Sequence, residues 1–117
     1  MLLFACVNVI RIFANGLTAM KIEQHIDQII EGCQLYNIKE LYLVGSAARG
    51  EATAESDLDF VVSFNDLNKP GIADRYFDFQ KYLENLFAVP VDLIEESAIR
   101  NPFFKRAIDR DKTLIYG

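Results

Sequence analysis

The stretch that most constrains this chain runs from Leu41 to Phe64. Two short apolar runs, Leu41–Val44 and Phe60–Val62, are joined by a segment of small and polar residues. Gly45 and Ser46 end the first run, and Asp57 and Asp59 lead into the second. Strand side chains repeat with period two, so an Asp-Leu-Asp at a strand start puts both carboxylates on one face. Neighbouring carboxylates repel unless something positive sits between them, and a divalent cation is the obvious partner. A chain that ends one strand in Gly-Ser and opens the next with paired aspartates is suited to phosphate and metal together.

The 117 residues make one domain with room for one core. A formal charge of −5 argues against direct nucleic-acid binding, which normally uses a basic surface. Cys6 and Cys33 are too few for a disulfide framework, and no C-x-x-C occurs. Both read as reduced, buried thiols, which fits a cytoplasmic protein. Met1–Ala14 is apolar but broken by Asn8 and Arg11, and it falls short of the ~20 residues of a membrane helix. It lacks the basic start of a secretory signal, although Ala14-Asn15-Gly16 resembles a cleavage site. Residues 1–19 are therefore set apart as an extension of undecided role, either the product of an upstream start codon or a docked element. Residues 20–117 form the domain.

Periodicity predicts the rest. Ile22, Ile26, Ile29, Ile30 and Cys33 give a helix over Met20–Tyr36, with Thr18 as its cap and Asn37 as its stop. Glu40–Val44 is a buried strand, Ser46–Gly50 a helical turn, Gly50–Ser56 a loop and Leu58–Ser63 a second strand. After a turn cluster at Asn65–Gly71, a helix over Ile72–Phe87 carries Ile72, Tyr76, Phe79, Leu83, Leu86 and Phe87, widened by Ala73 and Phe77. Val89–Ile94 is a third strand, with Pro90 near its start. Asn101-Pro102, or Ser97, opens a helix to about Asp109 bearing Phe103, Phe104, Ala107 and Ile108, and Thr113–Tyr116 closes the chain as a strand. The fold class is mixed α/β (α+β), a small mixed sheet flanked by helices. Tyr42 is expected in the core, His25 at the surface, and Asp109-Arg110-Asp111-Lys112 in a solvated turn.

Asp92 adds weight to the aspartate pair. It is a carboxylate inside the otherwise apolar Val-Pro-Val-Asp-Leu-Ile, costly to bury unless paired or coordinated. If its strand lies beside the one bearing Asp57 and Asp59, three carboxylates meet at one edge of the sheet. Such a trio can hold Mg²⁺ against nucleotide phosphates while one member takes a proton from an acceptor hydroxyl. Gly45 lets backbone approach a phosphate closely. No Walker loop or dinucleotide fingerprint is present.

Gly45-Ser46, ten residues, then Asp57-Leu58-Asp59 resembles the G-S-x10-D-x-D signature of the DNA polymerase β-like nucleotidyltransferases. Ala48-Arg49-Gly50 and Ser56-Asp57 resemble the minimal nucleotidyltransferase (MNT) branch, and Asp92 sits where the superfamily carries its third carboxylate. The resemblance covers about Met20 to Gly117. It implies the polymerase β-like fold and transfer of a nucleoside monophosphate from an NTP to a hydroxyl, with loss of pyrophosphate. By the same resemblance Asp57 and Asp59 hold Mg²⁺, Asp92 acts as metal ligand and general base, and Gly45 and Ser46 bind the triphosphate. Arg49 is a candidate phosphate or partner contact.

Larger relatives add a second domain for the acceptor. A bare catalytic core must borrow its acceptor site from a partner or a second copy. Minimal proteins of this type are similar to the antitoxins of HEPN/MNT toxin–antitoxin systems. That likeness implies AMP transfer from ATP to a tyrosine of a HEPN-domain ribonuclease toxin, which silences it. Two alternatives stand beside this one: a nucleotidyltransferase acting on a small molecule or nucleic acid, and a catalytically silent antitoxin that blocks its partner by binding alone.

Overall fold

Asn37 turns the chain sharply at φ +56° between α1 (Ile26–Leu35) and β1 (Ile38–Val44). Asparagine tolerates this left-handed conformation better than most residues, because its short amide can bond locally. Its side chain here accepts from Asn65 Nδ2 at 3.2 Å and donates to Asp66 at 3.1 Å, tying this turn to the one that follows β2. The computed structural model of the chain describes residues 22–50 and 57–117. The N-terminal extension, the Thr18 cap, Cys6 and most of the expected 50–56 loop lie outside them.

The remaining elements are α2 (Gly45–Ala48), β2 (Leu58–Phe64), α3 (Ile72–Phe87), β3 (Val91–Glu95), a 3₁₀ turn at Glu96–Ala98, α4 (Pro102–Asp111) and β4 (Thr113–Tyr116). The four strands form one sheet in the order β3-β2-β1-β4. β1 runs antiparallel to both β2 and β4, and β2 runs parallel to β3. A parallel pair needs a crossover connection, and α3 supplies it.

Period-two alternation divides the sheet into two faces. Leu41, Leu43, Leu58, Phe60, Val62, Leu93 and Ile115 point to one side and pack on Ile26, Ile29 and Cys33 of α1 and on Phe79, Leu83 and Phe87 of α3. Gly32 lets the two helices meet. A Cβ there would stand 2.4 Å from the Tyr82 ring, and the Tyr82 hydroxyl donates to the Gln28 carbonyl at 2.6 Å. On the opposite side Val44, Val61 and Ile108 make a smaller cluster with Tyr42, Ile94 and Ile99. Among the described residues helices thus cover both faces, the second one through α4. Tyr42 belongs to this smaller cluster and is half-buried, with Lys112 Nζ 4.6 Å from its ring centroid.

The α3 stripe is narrower than expected. Ala73 is exposed and Phe77 is 60% exposed. α4 departs further, since Ile108 is its buried residue while Phe103 and Phe104 stand 75% and 48% exposed. Asn101 caps α4, accepting from the amides of Phe103 at 2.9 Å and Phe104 at 3.4 Å, and Pro102 fills the first helical position. His25 is half-buried, not a bare surface residue, with its ring edge-on to Phe87 at 5.6 Å. No helix among the described residues is long and apolar enough to cross a membrane.

Side chains of α3 hold the outer strand β3 in place. Tyr76 donates its hydroxyl to the Leu93 carbonyl. Gln80 donates to the Val91 carbonyl at 2.8 Å, and the Glu84 carboxylate accepts from the Val91 amide at 3.1 Å. An edge strand's free backbone groups are satisfied in this way. Asp92, between the two pinned residues, is directed to the other face.

Candidate active site

The antiparallel register sets the end of β1 beside the start of β2, with Val44 opposite Asp59. The parallel register then aligns Asp59 with Asp92. Three strands therefore deliver Gly45, Asp59 and Asp92 to one end of the sheet, on the α4 face. Gly45 has φ +72°, and a Cβ at this position would meet Asp59 Oδ2 at 2.5 Å. Only glycine allows both the left-handed turn and this close approach.

A cavity of about 320 Å³ opens at this end. Val44, Gly45, Ile94, Phe104, Ala107 and Ile108 supply its apolar walls, Asp59 and Asp92 its carboxylates, and Arg49, Arg110 and Asp111 a charged rim. Ser46 and Asp57 do not line it. Ser46 follows Gly45 on α2 and is half-buried, while Asp57 is exposed one residue ahead of β2.

Asp59 is the electrostatic focus. Burial, then the carboxylates of Asp92 and Asp57, push its pKa above the usual carboxylate range, and Arg49 pulls it part of the way back. Asp92 itself is exposed, contrary to the buried carboxylate read from its apolar strand. Among the described residues, α4 covers the strand's outward face around Ile94 and Ile108. Among the described residues, no three His, Cys, Asp or Glu side chains converge tightly enough to enclose a metal ion. Asp59 and Asp92 meet in register, and Asp57 acts on Asp59 through its charge.

The expected solvated turn at Asp109–Lys112 is part of the rim. Asp111 is 16% exposed and accepts from Arg49 Nη1 and from Arg110 Nε, each at 3.3 Å. These bonds, the Arg110 one foremost, lower its pKa. Arg49 and Asp111 are 62 positions apart, so no local pattern could have joined them. Phe104 was legible only as an apolar position on a helix, and its place on the cavity wall depends on how α4 crosses the sheet.

A strand–Gly-Ser–helical-turn connection beside a carboxylate pair makes a candidate phosphate and metal site on a mixed α/β sheet. The chain belongs to the nucleotidyltransferase domain family, which it matches over residues 26–115. It is similar to a candidate protein adenylyltransferase of Methanocaldococcus jannaschii, 43% identical over 81 residues that span 69% of this chain and 78% of the relative. Among solved structures it resembles a candidate minimal nucleotidyltransferase at TM-score 0.65 and 25% identity, covering 78% of this chain and 89% of that one. Its fold is also that of a complex between an MNT antitoxin and a tri-AMPylated HEPN toxin from Shewanella oneidensis. There the TM-score is 0.58 at 15% identity, with 81% of this chain and 71% of that one covered. The chain is therefore an enzyme of nucleotidyl transfer, with protein adenylyltransferases among its relatives.

Proposed function

We propose that residues 20–117 form a Mg²⁺-dependent protein adenylyltransferase of the cytoplasm that moves AMP from ATP onto a tyrosine of a HEPN-domain ribonuclease and so acts as its antitoxin. The observation that carries this reading is the in-register pair Asp59 and Asp92, with Gly45 against Asp59 and Arg49 on the rim of the same cavity. The HEPN acceptor is supported by the toxin–antitoxin complex that shares this fold.

The residues present fit a hard cation. Asp59 and Asp92 offer oxygen donors alone, and the repulsion that raises the Asp59 pKa is what a divalent ion relieves. Mg²⁺ commonly takes one or two carboxylates and completes its shell with water and substrate phosphates, so a closed protein cage is not required. Asp57, Asp59 and Asp92 would hold it, and when bound it neutralises the triphosphate and polarises the α-phosphoryl group.

The chain's own groups do the rest. Gly45 leaves room for phosphate oxygens near its backbone, Ser46 offers a hydroxyl donor, and Arg49 faces the triphosphate charge. Asp92 accepts the proton of the attacking tyrosine hydroxyl. A bond forms between that oxygen and the α-phosphorus, the bond to the bridging oxygen breaks, and pyrophosphate leaves. Positioning and charge neutralisation dominate such transfers.

The test is direct. The full chain, incubated with Mg-ATP and the HEPN-domain protein of the same genome, should add one or more AMP groups to that protein by intact mass. An unmodified HEPN protein, with the adenylyltransferase folded and ATP bound, overturns the assignment of the acceptor.

A further inference from the structure

α4 exposes its aromatics where folding does not require it. The helix buries only Ile108, yet its first turn carries Phe103 at 75% and Phe104 at 48% exposure. The Asn101 cap and Pro102 fix that turn rigidly, and the Arg106 guanidinium lies 5.0 Å over the Phe103 ring. Exposed aromatics on a rigid helix, joined to arginine, are the composition of a protein-binding hot spot.

Two further observations say what covers this face. The first is continuity. Phe103, Arg106, Ala107, Asp109 and Arg110 line an open groove on α4, and Ala107 and Arg110 also line the cavity that holds Asp59 and Asp92. The groove therefore adjoins the cavity that holds the carboxylates.

The second is charge. Residues 100–112 carry Arg100, Lys105, Arg106, Arg110 and Lys112 against Asp109 and Asp111, with Glu96 of the preceding turn reaching Lys112, within a chain whose formal charge is −5. Asp109 is shared by Lys105 and Lys112, and Asp111 by Arg49 and Arg110. The segment is locally basic on an acidic protein, beside the proposed transfer site.

We propose that the outer face of α4, centred on Phe103 and Arg106, is the docking surface for the acceptor protein, which meets it with an acidic surface next to the modified tyrosine. This rests on the adenylyltransferase reading of the site and adds the chemistry by which the acceptor is recognised. Phe103 supplies the apolar anchor, Arg106 the charge, and the groove leads the tyrosine toward Asp92.

The experiment uses the full chain and the double variant Phe103→Ser, Arg106→Glu, neither residue lining the catalytic cavity. A fluorescent ATP analogue with Mg²⁺ should bind both proteins equally, which controls for folding of the site. Two acceptor probes follow: the HEPN-domain protein of the same genome, and random copolymers of glutamate with tyrosine or lysine with tyrosine. Wild type should label the glutamate copolymer faster than the lysine one. The variant should lose that preference, and its association with the HEPN protein should weaken about tenfold or more. A preference that survives in the variant, or equal labelling of both copolymers by wild type, overturns the proposal. So does a homodimer of the chain that the double variant dissolves, because a second copy would then cover the face. If the HEPN protein is never labelled while the copolymer preference holds and is lost in the variant, the acceptor assignment fails and the docking surface stands.

Discussion

Gly45 and Asp59 occupy nearly the same space: a single methyl group on Gly45 would stand 2.5 Å from the Asp59 carboxylate oxygen. The glycine of the Gly-Ser turn thus has a structural role besides the proposed phosphate contact. It gives an aspartate from the neighbouring strand its position. Gly45→Ala must both hold alanine at φ +72° and displace Asp59. The left-handed backbone alone costs about 1–2 kcal/mol. A shift of the carboxylate by an ångström is enough to lower transfer by roughly a hundredfold. The variant should therefore melt lower and transfer AMP at about 1% of the wild-type rate, read by intact mass of the acceptor. Wild-type transfer by a folded Gly45→Ala protein would show that the turn and the carboxylate are independent.

Asp59 carries a stability cost that the proposed metal-holding role explains. Its folded pKa is raised, by burial first and then by Asp92 and Asp57, so its ionised form opposes folding. Below the usual carboxylate range both folded and unfolded chains hold the proton and the cost vanishes. As pH rises through that range toward the raised folded value the cost grows, and above it the cost is constant. Asp59→Asn removes it. This variant should melt a few degrees higher than wild type at pH 7, with the gap closing on acidification, while transfer falls by at least about a hundredfold. Millimolar Mg²⁺ should raise the melting temperature of wild type and leave that of Asp59→Asn unchanged. A variant no more stable than wild type at pH 7 would mean that the repulsion is relieved some other way.

Asp92 owes its place to α3. Gln80 and Glu84 hold the Val91 carbonyl and amide, the backbone groups next to it on the edge strand. Truncating both to alanine strips the two bonds and should destabilise the fold by about 1–3 kcal/mol in urea unfolding. The local signature is sharper than the global one: hydrogen exchange at the Val91 amide should accelerate beyond that of the β1–β2 ladder, and transfer should fall severalfold with ATP binding retained. Unchanged exchange at Val91 would show that pairing with β2 alone holds the strand.

Much of this arrangement was written in local pattern, and the rest depends on contacts between distant residues. The α3 stripe of Phe79, Leu83 and Phe87 marks a helix of the observed length because a sixteen-residue helix repeats its period several times. Thr113–Tyr116 reads as a strand from composition alone. β1 begins two residues earlier than expected, since Ile38 pairs with Phe64 across the sheet and only the partner strand reveals it. The apolar neighbours of Asp92 suggested a buried carboxylate, but Asp92 is exposed. Phe103 and Phe104 read only as apolar positions on a helix, and that helix buries Ile108 instead. Asp111 was beyond reach altogether, because its role comes from Arg49, a contact across 62 positions of sequence.

That distant pair sets the last prediction. Asp111 grips Arg49 and Arg110 at 3.3 Å each and holds two cations on the rim above the carboxylates. Arg49 is also within the electrostatic reach of Asp59. Asp111 touches no reacting atom in the proposed chemistry and acts by positioning Arg49. Arg49→Ala should raise the KM for ATP about tenfold, the size expected for loss of one charged phosphate contact, with little change in kcat. Asp111→Asn should raise the same KM by roughly threefold to fivefold, because Arg49 remains but is no longer aimed. Asp111→Glu should restore most of the loss. The double variant Arg49→Ala, Asp111→Asn should be no worse than Arg49→Ala alone, since a residue that acts only through its partner has nothing further to lose. Additive effects in that cycle, or a fall in kcat at unchanged KM, would show that Asp111 works on the reaction by a route other than Arg49.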